Sequence, residues 1–239
     1  MTITIQKDVF TIILETILIG IAFVVIGNKF KKADPLAKPH GIMTFVIWAV
    51  QSVYNSVKDN CGEKFARNYA PYILVLWVYI FFSNIISLFG LSSPTSNLSV
   101  TLLLSFITWV VVQYVEFKYG GVKAYFHSFL EPIPVMLPMN IIGKFSTMIS
   151  MSLRLFGNIL CGGIMMSLIY NFCQYLSNAI IGLFASVGGN AFNFMAPVLA
   201  PLLHAYFDVF SGFVQTLVFV TLSTVLVGND IPDEVKKTK

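Results

Sequence analysis

Charge is what this sequence has least of. Asp, Glu, Lys and Arg together make up 11% of its 239 residues, against about 25% in a soluble domain. A chain so poor in charge cannot cover a water-soluble globule. The apolar fraction of 56% and the mean hydropathy of +0.79 support the same exclusion. Intrinsic disorder is excluded too, because it requires low hydrophobicity and high charge. Cysteine and histidine are scarce, three of each. Cys61, Cys161 and Cys173 have no CxxC spacing, so they suggest neither a disulfide framework nor a zinc site. They read as small apolar residues. The signatures of soluble enzymes are missing as well: no GxxxxGK[ST], no GxGxxG after a strand, no HExxH and no GxSxG. The chain is expected to hold no cofactor or metal and to catalyse no covalent reaction alone. Its net charge of +4 does not indicate nucleic-acid binding, because the placement of the charges matters more than their sum.

Long apolar runs are what the sequence has instead. Runs of about 20 residues match the thickness of a bilayer, and five are present, at about 9–27, 72–91, 98–115, 139–172 and 196–227. The expected fold is an all-α integral membrane protein, one domain over 1–239, with five membrane-crossing helices. The first run lacks a basic leading region and a small-residue cleavage site, so it is expected to stay. The stretch at about 40–60 is apolar at first but broken by Gln51, Asn55, Lys58 and Asp59; it reads as an amphipathic helix lying at the interface. The last two runs exceed 30 residues and would extend about 45–50 Å as helices. The hydrocarbon core is only about 30 Å thick, so they are expected to be long and strongly tilted. A short separate helix is expected between them, around Leu176–Ser186.

The basic residues orient the chain. Five crossings with the C-terminal lysines inside place the N-terminus outside. Twelve of the 15 Lys and Arg residues then fall on the inner side, which the positive-inside rule favours. Lys144 and Arg154 are left within the fourth run, where Lys144 is expected to snorkel to the inner surface. Glu131, beside Pro132, is expected to mark a helix start at the inner interface.

Ionisable residues deep in apolar sequence carry the functional signal. An arginine at a helix centre is unfavourable by about 2.5–3.5 kcal/mol on insertion scales, and Arg154 cannot escape by losing its proton. It reads as a fixed cation facing an aqueous path or a partner's carboxylate. Asn158, one turn on, shares its face, and Gly157, Gly162 and Gly163 leave room for another helix to approach. Asp208 is the second such residue. A desolvated carboxylate takes up a proton, which suits a proton relay. His204, Asp208 and Gln215 fall on one helix face at 3.6 residues per turn, a polar stripe on an apolar helix. Glu15 faces either the bundle or the outer interface. These charges mark function without saying which: an ATPase-coupled ion path and a stand-alone secondary transporter or ion channel both fit.

Four blocks of sequence narrow the choice. Ser-Leu-Arg-Leu-Phe-Gly-Asn (Ser152 to Asn158) resembles the signature of subunit a of F-type ATP synthases. Pro94 to Thr101, Ser83 to Leu88 and Gly212 to Phe219 resemble three further blocks of that family, in family order. The resemblance implies the stator of the membrane sector. Such a subunit packs two long helices against a rotating ring of c subunits and supplies two offset half-channels. It also implies peripheral-stalk b subunits, an indirect link to the soluble ATPase sector, and a multi-pass position in a bacterial cell membrane. By motif, Arg154 matches the arginine facing the ring carboxylates, Asn158 a polar neighbour, and Gln215 the last-helix glutamine. Asp208 takes the position seven residues before that glutamine, where the family carries an acid or a histidine. Asn140 and Gly163 depart from the pattern, since the family often has ionisable residues there.

Overall fold

The computed structural model describes residues 7–32, 41–130, 134–184, 193, 195–232 and 236. Among them there are helices and no strand. In chain order these are α1 (Lys7–Lys32), α2 (Gly41–Cys61), α3 (Glu63–Ile85), α4 (Leu98–Ser128), α5 (Leu137–Phe184), α6 (Ala196–His204) and α7 (Ser211–Asn229). A π-helical segment, Ala205–Phe210, joins α6 to α7 without a break. Five stretches are long and apolar enough to cross a membrane: Val9–Lys32, Glu63–Phe89, Leu98–Val122, Pro134–Ile181 and Ala196–Asn229. The chain is an all-α membrane protein.

The helices run further than hydropathy alone indicates. Lys29, Lys31 and Lys32 form the last turn of α1, where cations favour the negative end of the helix dipole. The third span continues through Glu116 and Lys118 to Ser128, bending at Gly121, whose φ of 77° lies in the left-handed region that only glycine adopts freely. The fourth corrects the sequence reading most. α5 is one helix of 48 residues, and the separate helix expected around Leu176–Ser186 is its C-terminal end, described as far as Phe184. No proline interrupts it between Pro138 and that end. Glu131 lies outside the described residues.

Packing inverts the habit of soluble proteins. Large apolar side chains such as Phe10, Val24, Phe45 and Trp48 point outward, while small hydroxyl residues are interior. Thr95, Thr101, Ser105, Ser152, Thr216, Ser223 and Thr224 are all 0% exposed. Lipid tails are as apolar as leucine, so helices in a bilayer gain by close approach and interhelical hydrogen bonds. Two glycines set that approach. A Cβ on Gly212 would lie 2.9 Å from Asn84 Cβ on α3. One on Gly228 would lie 2.6 Å from the Asn60 carbonyl oxygen on α2. α2 therefore seats its C-terminal half, with Val57 and Cys61 buried, against α3 and α7. Its other face, bearing Ile42, Phe45 and Trp48, is exposed.

Candidate functional site

Arg154 sits near the middle of α5, and its neighbours fix its direction. Leu155 (0% exposed) and Met151 (4%) join Leu76, Ile80 and Phe219 in a buried cluster. Ser152, also buried, shares a 3.1 Å hydrogen bond with Thr101 of α4. With that face of α5 committed to the bundle, Arg154 projects from the other and is exposed. The described ion pairs are Lys58–Glu63, Lys144–Glu116 and His204–Asp208, so no described acid neutralises it. Gly157 and Gly163 have nothing within 4 Å of where a Cβ would stand. Gly157 leaves the arginine's face uncovered, while Gly163, nine residues on, lies on the opposite side of α5. Gly162 differs: its Cβ would lie 3.8 Å from the Phe207 side chain, an ordinary contact.

Asn158 turns toward the last helix. Ser211 Oγ donates to Asn158 Oδ1 at 2.6 Å. Asn158 Nδ2 and Gln215 Nε2 are both buried with no acceptor among the described residues. Such donors, that of Asn158 one turn from the cation, form an environment that favours an anion or water. An orphaned buried donor costs about 1–3 kcal/mol, so the arrangement favours a guest that accepts hydrogen bonds.

The predicted stripe of His204, Asp208 and Gln215 divides. His204 Nδ1 lies 2.6 Å from Asp208 Oδ2, one turn apart as the spacing requires. The imidazole's other nitrogen lies 2.9 Å from the Tyr170 hydroxyl of α5. Tyr170, His204 and Asp208 thus form a hydrogen-bonded chain across two helices. Among the described residues Gln215 shares no hydrogen bond with it, as expected for a side chain seven residues, about 10 Å of helical rise, beyond Asp208. Asp208 itself lies inside the π-helical segment. Tyr170 gave no signal in the sequence, because a lone tyrosine in an apolar run reads as an interfacial anchor. Toward the far end of α5, Ser177 Oγ donates to Asn193 Oδ1 at 3.3 Å, and the same oxygen accepts from the Ala196 amide at the start of α6 at 3.1 Å.

A second polar cluster lies near the N-terminal end of α5. Lys144 Nζ reaches both carboxylate oxygens of Glu116 on α4, at 2.5 and 2.7 Å. Lys144 therefore pairs within the bundle instead of snorkelling outward. The pair lines a cavity of about 190 Å³ with Gln113, Thr147, Asn229 and Asp230, and Met151 is also in its wall. Burial and the nearby Glu116 charge push the Asp230 carboxyl up to about 6, against a smaller opposing effect of Lys144. Asn140, one of the departures from the family pattern, donates through Nδ2 to the Phe129 carbonyl at 2.9 Å. Among the described residues no group of histidine, cysteine and acid side chains could hold a metal ion.

Known proteins agree on what this arrangement belongs to. Residues 9–228 match the family described as ATP synthase A chain. The chain is 33% identical over 206 residues to ATP synthase subunit a of Oceanobacillus iheyensis, covering 82% of this chain and 80% of that one. It is 33% identical over 230 residues to the Mycoplasma pneumoniae subunit, covering 90% and 76%. It is 30% identical over 203 residues to a sodium ion specific subunit a of Propionigenium modestum, covering 77% and 62%. Five apolar spans, an uncovered intramembrane arginine and a match over nearly the whole length lead to one conclusion: the chain belongs to the ATP synthase A chain family, whose members are non-catalytic membrane-sector subunits of the ATP synthase complex.

Proposed function

We propose that the chain is the ion-translocating stator of a bacterial ATP synthase, with Arg154 facing the carboxylates of a rotating c-ring. The observation that carries this reading is the bare cation in the middle of α5, with the orphaned amide of Asn158 one turn on along the same helix. A ring carboxylate crosses lipid neutral, because an isolated charge there is prohibitively costly. Opposite Arg154 its anion is stabilised, so it releases its ion. The same fixed charge repels cations and blocks a direct leak between the two access paths.

The paths themselves follow the polar clusters. Asp208, His204 and Tyr170 line the path on the side of the 86–97 turn, with Ser211, Asn158 and Gln215 leading toward the arginine. The cavity walled by Glu116, Lys144 and Asp230 opens the other path. Its acids take the place of the one missing at position 140. The charge distribution puts the 86–97 turn and the N-terminus outside and the C-terminal tail in the cytoplasm. The exposed apolar side chains of α5 on either side of Arg154, Leu153 and Leu160 among them, form the surface that meets the ring. The peripheral-stalk b subunits hold the chain still, and the soluble ATPase sector is reached only through these partners.

The test is Arg154→Ala in membrane vesicles driven by an imposed ion gradient. ATP synthesis should vanish while the assembled complex, extracted in mild detergent, keeps its normal amount. Normal gradient-driven synthesis by the variant would refute the role of Arg154. Extraction of the wild-type chain without ring or ATPase would refute the stator reading itself.

A further inference from the structure

Glu15 is the intramembrane acid that the paths above leave unused. It lies two turns into α1, and the structure places it against the bundle, 2% exposed. Ser83 Oγ of α3 donates to its Oε1 at 2.7 Å. Its Oε2 is buried with no donor among the described residues. No described lysine, arginine or histidine pairs with it. The titratable group beside it is the Tyr79 phenol, also on α3. The 90–97 turn, packed against α1 and α3, brings no charged side chain. One turn earlier on α1, Thr11 Oγ1 lies 3.2 Å from Ser92 Oγ of that turn.

Oxygen atoms continue from there into the bundle. Ser93 Oγ donates to the Ser83 carbonyl at 2.5 Å and lies 2.8 Å from Thr95 Oγ1. Thr95 donates to Asn84 Oδ1 at 2.9 Å. Asn84 Nδ2 donates to the Gly212 carbonyl at 3.1 Å and reaches Thr216 Oγ1 at 3.4 Å. Ser83, Asn84, Thr95 and Thr216 are 0% exposed, and Ser93 is 4% exposed. Glu15 is thus linked to the last helix at Gly212, the residue after Ser211. The links pass through backbone carbonyls and an amide, so an ion moving along them needs water between the stations.

A structural role alone does not require a carboxylate here. Serine or asparagine would join the same helices without the burden of an ionisable group in the membrane. A bare anion with no counter-charge is not tolerated there, so Glu15 must hold a positive charge of its own. A carboxylate beside hydroxyl groups suits a hard cation. We propose that Glu15 is a cation-exchange station of the coupling-ion path. It takes up one monovalent cation, a proton or a sodium ion, from the side of the 86–97 turn and releases it toward the last helix. With a proton, uptake converts the carboxylate to the carboxylic acid and release restores it. With sodium, the ion binds and leaves as a carboxylate complex. Neither form involves oxidation or a bond to carbon.

This inference rests on the stator reading. The test uses vesicles holding the complete ATP synthase with this chain, under a proton gradient in one arm and a sodium gradient in the other, at equal membrane potential. The wild-type arm that supports synthesis names the ion. Glu15→Gln keeps the shape but cannot exchange a charge. At equal amounts of assembled complex, it should lower synthesis in that arm by roughly tenfold or more. Glu15→Asp should keep much of the rate but need a different ion concentration on the turn side for half-maximal synthesis. Glu15→Gln matching wild type at every ion concentration overturns the proposal. So does a pattern in which Gln and Asp variants lose synthesis only in proportion to lost complex, because that marks a structural post. If the wild type makes no ATP in either arm although the complex is intact, the stator reading fails first, and this inference falls with it.

Discussion

Replacing Gly212 with alanine tests the close approach of α3 and α7. The added Cβ would stand 2.9 Å from Asn84 Cβ, whereas carbon atoms pack at about 3.5–4.0 Å. Asn84 Cβ is fixed to its backbone, so no rotamer relieves the overlap and one helix must move by roughly 0.5–1 Å to restore that spacing. Overpacking of this kind costs about 1–3 kcal/mol. The Asn84–Gly212 hydrogen bond stretches as well, and such bonds in membranes contribute about 0.6 kcal/mol. The alanine returns up to ~1 kcal/mol of helix propensity. The net destabilisation is then roughly 0.5–2.5 kcal/mol, enough to change abundance several-fold. Gly20→Ala is the control: it gains the same propensity and meets nothing within 4 Å. The assay is the amount of chain recovered in the detergent-extracted complex after heating through a temperature series. Gly212→Ala should be lost at lower temperature than Gly20→Ala. Both Asn84→Gly and Asn84→Ala lose the Asn84 hydrogen bonds, but in the Gly212→Ala background Asn84→Gly should be less damaging than in wild type, while Asn84→Ala, which keeps the clashing Cβ, should not. Equal behaviour of the two glycine variants would refute the packing argument.

Other expectations follow from single sites. Asp208→Asn and His204→Ala should each slow gradient-driven ATP synthesis without loss of assembled complex, and Tyr170→Phe should do so more weakly; rates unchanged in all three would remove this chain from the path. Asp230 titrates higher in the folded chain, about 6 against 3.8, so its favourable contribution is complete below 3.8 and is lost as pH rises through about 6. Asp230→Asn should therefore be more heat-resistant than wild type at pH 7, with the gap closing as pH falls below 4; a gap independent of pH would contradict this. Burial pushes the Cys61 thiol up to about 11, so almost no thiolate exists at pH 8. A water-soluble maleimide should label Cys61 only after denaturation, and rapid labelling in native membranes would show that α2 does not pack as described.

The spans were legible because hydropathy reports the solvent, and the solvent here is lipid. Arg154 stood out for the same reason, since its cost in an apolar run is visible without a structure. What stayed hidden depended on neighbours. The charged end of α4 fell beyond the expected run of 98–115 because Glu116 could not be matched to Lys144, which lies 28 positions away. Tyr170 became part of a polar chain only once α5 and the π-helical segment were side by side. The wider turn at Asp208 has no composition signal, so the π-helical segment was not legible. Glu15 could not be assigned to bundle or interface until the 90–97 turn was seen to fold over it.

Rotation gives the unbroken length of α5 a mechanical meaning. A ring that turns against Arg154 pushes it sideways, and a stator is useful only if it does not yield. A helix bends sharply at proline, at paired small residues or where its hydrogen-bond ladder is interrupted. α5 runs for 48 residues without a break, with its one proline, Pro138, in the first turn and its small-residue pair, Gly162 and Gly163, two turns beyond Arg154. A tangential push at Arg154 is therefore carried by the section before that pair and passed to α4, the helix it packs against most. The bend at Gly121 of α4 lies beyond the Thr101–Ser152 and Trp109–Lys144 contacts that brace the pair. The soft joint sits outside the section that must stay stiff.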